Sequence, residues 1–98
     1  MQNGYVVLVT FVIKPEFRKA FQDAVIENAA ASRSREPGCS VFEVSESEDG
    51  SQILLYEIYD DQAAFKKHLA TDHFRHFDAL VESWIADKQI TTYRRLAR

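Results

Sequence analysis

Three side chains stand out because an ionisable or amide group falls inside an apolar pattern. His68 follows Ala64 by four positions and precedes Leu69, which turns its imidazole toward the inner side of a short helix. Imidazole is the side chain whose ordinary pKa best suits proton transfer near neutral pH, although a lone inward histidine can also be a hydrogen-bonded core residue. Glu57 alternates with Ile53, Leu55 and Tyr59 and therefore shares their face of a strand. Partial burial would raise its pKa unless a cation or donors compensate. That suits a general base or the orienter of a histidine, and equally a carboxylate paired with a Lys or Arg. Asn28 lies one helical turn beyond Ala24 and Val25 on an apolar stripe. A buried amide costs free energy unless something bonds to it, so Asn28 either ties its helix to a strand or aims a donor at a ligand oxygen. We expect His68 to face an internal cavity within reach of Glu57 or of a bound ligand.

Phe42, Phe65, Phe77 and Trp84 could line an aromatic pocket around these groups, though aromatics at regular spacing are usually core. Trp84 is the strongest exception, because a buried indole N–H needs a partner. His73 and His76 flank Phe74 and read as surface or capping residues. Their spacing with His68 makes no recognisable metal site, and the single Cys39 makes neither a disulfide nor a metal site by itself. The chain has no glycine-rich phosphate loop, dinucleotide fingerprint or nucleophile elbow, so no conventional cofactor is expected.

The elements that must position these residues follow from periodicity. Tyr5 to Ile13 is β-branched, aromatic and apolar at both alternating sets of positions, which predicts a strand buried on two faces. Pro15 opens a helix whose stripe is Phe17, Phe21, Ala24, Val25 and Asn28, and Glu36-Pro37-Gly38 stops it. Cys39 to Glu46 and Gln52 to Tyr59 are strands joined by the turn Glu48-Asp49-Gly50-Ser51. Asp60 or Asp61 caps a short helix with Ala64, Phe65, His68 and Leu69. Thr71 or Asp72 caps another with Phe74, Phe77, Leu80, Val81, Trp84 and Ile85, and Ile90 to Leu96 is a last strand. The order β-α-β-β-α-α-β is a ferredoxin-like α+β arrangement with a four-stranded antiparallel sheet and a second helix broken in two. With 98 residues, one domain spanning 1–98 is expected.

Helices cover one sheet face only, whereas the first and third strands are apolar on both. This predicts a homodimer packed sheet to sheet. A net charge of -3 argues against a grip on nucleic acid or anionic membranes. The leading Met1-Gln2-Asn3-Gly4 and the short apolar run behind it lack the marks of a signal peptide or membrane span, and a cytoplasmic location is the expectation.

Three segments together resemble the antibiotic biosynthesis monooxygenase family: Asn28 through Ser34-Arg35-Glu36-Pro37-Gly38-Cys39, then Tyr56-Glu57-Ile58-Tyr59-Asp60, then Ala64-Phe65-Lys66-Lys67-His68 with Thr71-Asp72-His73-Phe74. The resemblance implies a dimeric α+β barrel with a pocket between sheet and helices, faced by Asn28, Glu57 and His68. It implies oxidation of a small quinol or polycyclic aromatic by dioxygen without metal or flavin: His68 or Glu57 as the base, Asn28 as the donor, the aromatics as the substrate's walls. A related branch isomerises a phosphorylated autoinducer-2-type dihydroxy-ketone, for which Lys66, Lys67 and Arg33 are candidate phosphate partners. Haem-degrading relatives carry an asparagine in the first strand, which Tyr5 to Ile13 lacks. A non-catalytic small-ligand binder on the same scaffold would show an empty, wholly apolar pocket.

Overall fold

The computed structural model describes residues 4–98; residues 1–3, part of the stretch read for targeting signals, lie outside the described residues. Strand β1 (Tyr5–Ile13) leads through a 3₁₀ turn at Pro15–Phe17 into helix α1 (Arg18–Arg35). Strands β2 (Cys39–Glu46) and β3 (Gln52–Tyr59) form a hairpin, helices α2 (Gln62–Leu69) and α3 (Asp72–Val81) follow, and a 3₁₀ turn at Glu82–Trp84 enters β4 (Ile85–Arg94). The sheet is antiparallel in the order β2-β3-β1-β4, as the ferredoxin-like reading requires.

Local chemistry accounts for these boundaries. Asp61 caps α2 by accepting from the Ala64 N–H at 2.8 Å, and Thr71 caps α3 by accepting from Phe74 at 3.2 Å. In the β2–β3 turn Gly50 adopts φ +78°, where a Cβ would be strained. The Asp49 carboxylate accepts from the Ser51 N–H and from the Ser47 and Ser51 hydroxyls, which holds its pKa down at about 2.

The fourth strand differs from expectation. It begins at Ile85 and ends at Arg94, so Trp84 and Ile85 leave the preceding helix and Leu96 lies beyond the strand. As an edge strand, β4 bonds to β1 alone and keeps nine of its ten residues exposed, so its Asp87-Lys88-Gln89 stretch carries no apolar alternation to reveal it.

The core lies between the helices and the inner sheet face. Val7, Val9, Phe11 and Ile13 of β1 join Ile53, Leu55 and Tyr59 of β3, and α1 adds Phe21, Val25 and Ala29. On the outer face Leu54, Tyr56 and Tyr93 remain exposed. No helix among the described residues is long and apolar enough to cross a membrane.

Candidate active site

Strand alternation points Glu57 toward the helices with Leu55 and Tyr59, and it is 3% exposed. Register with Glu57 places Val7 of β1 and Phe42 of β2 on either side. Helix α1 carries Asn28 one turn past Val25 on its buried stripe, and α2 presents His68 as its one buried residue. The three polar groups meet at a cavity of about 170 Å³ walled mainly by apolar side chains, among them Val9, Phe11, Phe42, Leu55, Phe65, Phe74 and Phe77. Lys88 and Ile90 of β4 also line it; Ile90 is exposed and marks the rim. A wider cleft of about 510 Å³ runs between α1 and α3 and shares Asn28 and Phe77 as a wall. It contains neither Glu57 nor His68, so the smaller cavity is where acid-base groups and apolar walls coincide.

His68 is set in an aromatic surround, with Phe74, Tyr59, Phe42 and Phe65 at ring-centre distances of 5.0, 5.4, 5.8 and 6.2 Å. Its carboxylate partner is Glu36 rather than Glu57: Nδ1 lies 2.9 Å from Glu36 Oε2. The same oxygen takes a 2.5 Å contact from His73 Nε2. With Glu36 ionised, both imidazoles donate to it, and His68 is left with Nε2 as its basic nitrogen. Burial lowers the His68 pKa more than the Glu36 carboxylate raises it, so the ring is held neutral and able to accept a proton.

Glu57 accepts a 2.5 Å hydrogen bond from the Tyr59 hydroxyl. Desolvation nevertheless pushes its carboxyl up to about 7, with Glu36 adding to the rise and Tyr59 and Lys88 opposing it. Burial and the neighbouring Glu57 drive the Tyr59 phenol strongly upward, so it stays a donor. Asn28 supplies the clearest unmet demand: its Oδ1 is sealed from solvent and has no hydrogen-bond partner among the described residues. An orphan acceptor of this kind costs roughly 1–3 kcal/mol, which a hydrogen-bond donor on a ligand would recover.

The structure thus brings together Asn28, Glu57, His68, Phe42, Phe65 and Phe77. It does not bring Trp84, which leaves its expected place on a helix and stacks on Phe17 with ring centres 5.5 Å apart, away from the cavity walls. His73 is no surface residue, since its side chain is 12% exposed and fixed to Glu36. Sequence reasoning missed Glu36, read only as part of a helix stop; the partnership spans 32 positions to His68 and 37 to His73, which no local pattern records. Arg33 is committed to the Phe42 carbonyl at 2.6 Å, and Lys66 and Lys67 are exposed. Lys88 is the one cation lining the cavity among the described residues.

A buried imidazole oriented by a carboxylate, a second carboxyl of raised pKa and an unsatisfied amide oxygen surround a small aromatic-walled cavity, an arrangement that can transfer a proton to or from an apolar molecule held there. The chain belongs to the antibiotic biosynthesis monooxygenase family, whose model matches residues 4–80. It is 27% identical over 81 residues to a Mycobacterium tuberculosis protein named "Putative monooxygenase Rv0793", the match covering 83% of this chain and 79% of that one. Among solved structures, one titled "Putative antibiotic biosynthesis monooxygenase" from Nitrosomonas europaea superimposes with a TM-score of 0.92 at 28% identity, covering 98% of this chain and 93% of that one. PA3566 from Pseudomonas aeruginosa gives 0.91 at 26% identity, covering 99% and 98%.

Proposed function

We propose that this protein is a cofactor-independent monooxygenase that oxidises a small phenolic or quinol ring with dioxygen, and that it works as a homodimer. The observation that carries this reading is the unpartnered Oδ1 of Asn28, a residue that lines the same aromatic-walled cavity as His68 and Glu57. A cavity of about 150 Å³ accommodates benzene, so 170 Å³ suits a single ring, and a polycyclic substrate would extend past Ile90 at the rim.

His68 Nε2 takes the phenol proton, and Glu36 orients the ring and stabilises the imidazolium. Asn28 Oδ1, the unpartnered acceptor, takes a hydrogen bond from a substrate hydroxyl, and the apolar walls keep water away from the electron-rich anion. That anion delivers electrons to dioxygen, and a C–O bond forms at a hydrogen-bearing ring carbon para to the oxygen in a simple phenol, or ortho to it in a quinol. Loss of that carbon's proton breaks the O–O bond. One oxygen atom stays on the ring as a quinone carbonyl, and the other leaves as water with both protons. Glu57, with a pKa of about 7, exchanges protons on the opposite wall. One cation at the cavity is poor provision for a phosphate, which weighs against the phosphorylated dihydroxy-ketone. The polar trio weighs against a wholly apolar binding pocket.

The test is oxygen uptake by EDTA-treated protein with a panel of phenols and hydroquinones under air, set beside isomerisation of a phosphorylated dihydroxy-ketone. Consumption of one dioxygen per quinone formed, without release of hydrogen peroxide, is expected. Isomerisation with no oxygen uptake across the panel would overturn the reading.

A further inference from the structure

We infer that Glu36, His68 and His73 form a binding site for a divalent first-row transition ion of the zinc type, and that occupation of this site switches off the proton acceptor. The second half rests on the oxygenase reading; the first does not.

The donor set is two imidazole nitrogens and one carboxylate oxygen, all within 4.8 Å of one another. Glu36 Oε2 already lies 2.9 Å from His68 Nδ1 and 2.5 Å from His73 Nε2. Zinc bonds to such atoms at about 2.0–2.2 Å, which sets tetrahedral ligands roughly 3.4 Å apart. An ion therefore needs the two Glu–His contacts, at 2.9 and 2.5 Å, to open toward that spacing. The ligands come from three separate places: the turn after α1, the end of α2 and the first turn of α3. Their side chains are 11%, 3% and 12% exposed, so they are largely dehydrated and assembled before any ion arrives. His73 also lines the open cleft between α1 and α3, which gives an ion its path from solvent, and a water completes the fourth position. Mixed nitrogen and oxygen donors favour zinc or cobalt over magnesium, which keeps to oxygen.

The link to activity is a tautomer change. An ion on His68 Nδ1 takes the place of the hydrogen now shared with Glu36, and the neutral ring carries its one proton on Nε2 instead. Nε2 is the atom assigned to receive the substrate's proton, and protonated it cannot do so. His73 undergoes the same exchange without consequence for the cavity, since it does not line it.

Untagged full-length protein, freed of metal by EDTA and dialysis, should be titrated calorimetrically with zinc chloride, with magnesium chloride as control, and its visible spectrum recorded with cobalt chloride. One zinc per chain is expected, together with the cobalt d–d band of a four- or five-coordinate site. His73→Ala and Glu36→Gln should each weaken binding by at least about 10–100-fold, the loss already seen when a partner that only supports a ligand is removed. Zinc should inhibit oxygen uptake reversibly by EDTA, while His73→Ala keeps its basal rate and escapes inhibition. No zinc heat and no cobalt band, or parent-like affinity in folded His73→Ala, overturns the site. If His73→Ala fails to melt cooperatively, His73→Gln takes its place under the same criteria. Inhibition that persists in the variant overturns the switch. Binding is read without substrate, so failure of the oxygenase reading leaves this result separate.

Discussion

The imidazole of His68 is held at one nitrogen and available at the other, so its substitutions can be chosen to separate those roles. In His68→Asn the amide N–H replaces Nδ1 as donor to Glu36 while the basic Nε2 is removed. Oxygen uptake should fall about 10²–10⁴-fold in kcat, the range for a lost general base, with a melting temperature near the parent's. Full activity in this variant would move the base to Glu57. Truncation to Ala is a poorer test, because the ring is 2% exposed and its loss also leaves a cavity. Glu57 gives a signature in stability instead. Its carboxyl is raised from 4.5 to about 7, so the folded state binds the proton more tightly than the unfolded chain does. This stabilisation is complete below about 4.5 and lost as pH rises through 7, a change on the order of 3 kcal/mol. The facing groups are Tyr59, Glu36 and Lys88. His68, whose pKa is lowered, contributes the opposite slope in both proteins, so the loss is read as the stability of the parent minus that of Glu57→Gln, from urea unfolding at pH 5 and pH 8. Equal pH dependence in the two proteins would refute the assignment.

The turn between α1 and β2 sets the distance from Glu36 to the two histidines. A Cβ built on Gly38 would stand 2.8 Å from the Ala64 Cβ, so the absence of a side chain is what lets α2 sit against this turn. Gly38→Ala should push α2 outward, destabilising the fold by about 1–3 kcal/mol and reducing kcat more than a distant surface substitution does. An unchanged melting temperature together with unchanged turnover would count against it. Both boundaries of β2 and β3 were legible in the sequence, since β-branched and aromatic runs end at Pro37-Gly38 and at the Asp49-Gly50 turn. Helical and strand periods likewise sufficed to turn Asn28, Glu57 and His68 inward. The same reasoning found β4 but missed its first residues, Ile85 to Gln89, and misplaced Trp84, where edge pairing and a 3₁₀ turn leave no amphipathic trace, and it missed Glu36, whose role exists only once the chain has folded back on itself.

For the molecule as a whole, Leu54, Tyr56 and Tyr93 stand exposed on a sheet face with no helix over it. Two copies joined by that face would bury it, and light scattering at micromolar concentration should return twice the chain mass, falling toward the monomer in Leu54→Lys. A monomer mass for the parent would refute the dimer. Cys39 bears on durability. The chain holds two sulfur atoms, in Met1 and Cys39. Burial, reinforced by Glu36 and Glu57, pushes the Cys39 thiol up to about 12, and the residue is buried in the core. Oxidation of cysteine proceeds through the thiolate, which is almost wholly unpopulated here at neutral pH. Dithionitrobenzoate should therefore leave the native protein unlabelled and react only after unfolding. If the oxygenase reading holds and an occasional peroxide escapes, the fold's one cysteine thus offers it no reactive thiolate, and inactivation would not begin at Cys39.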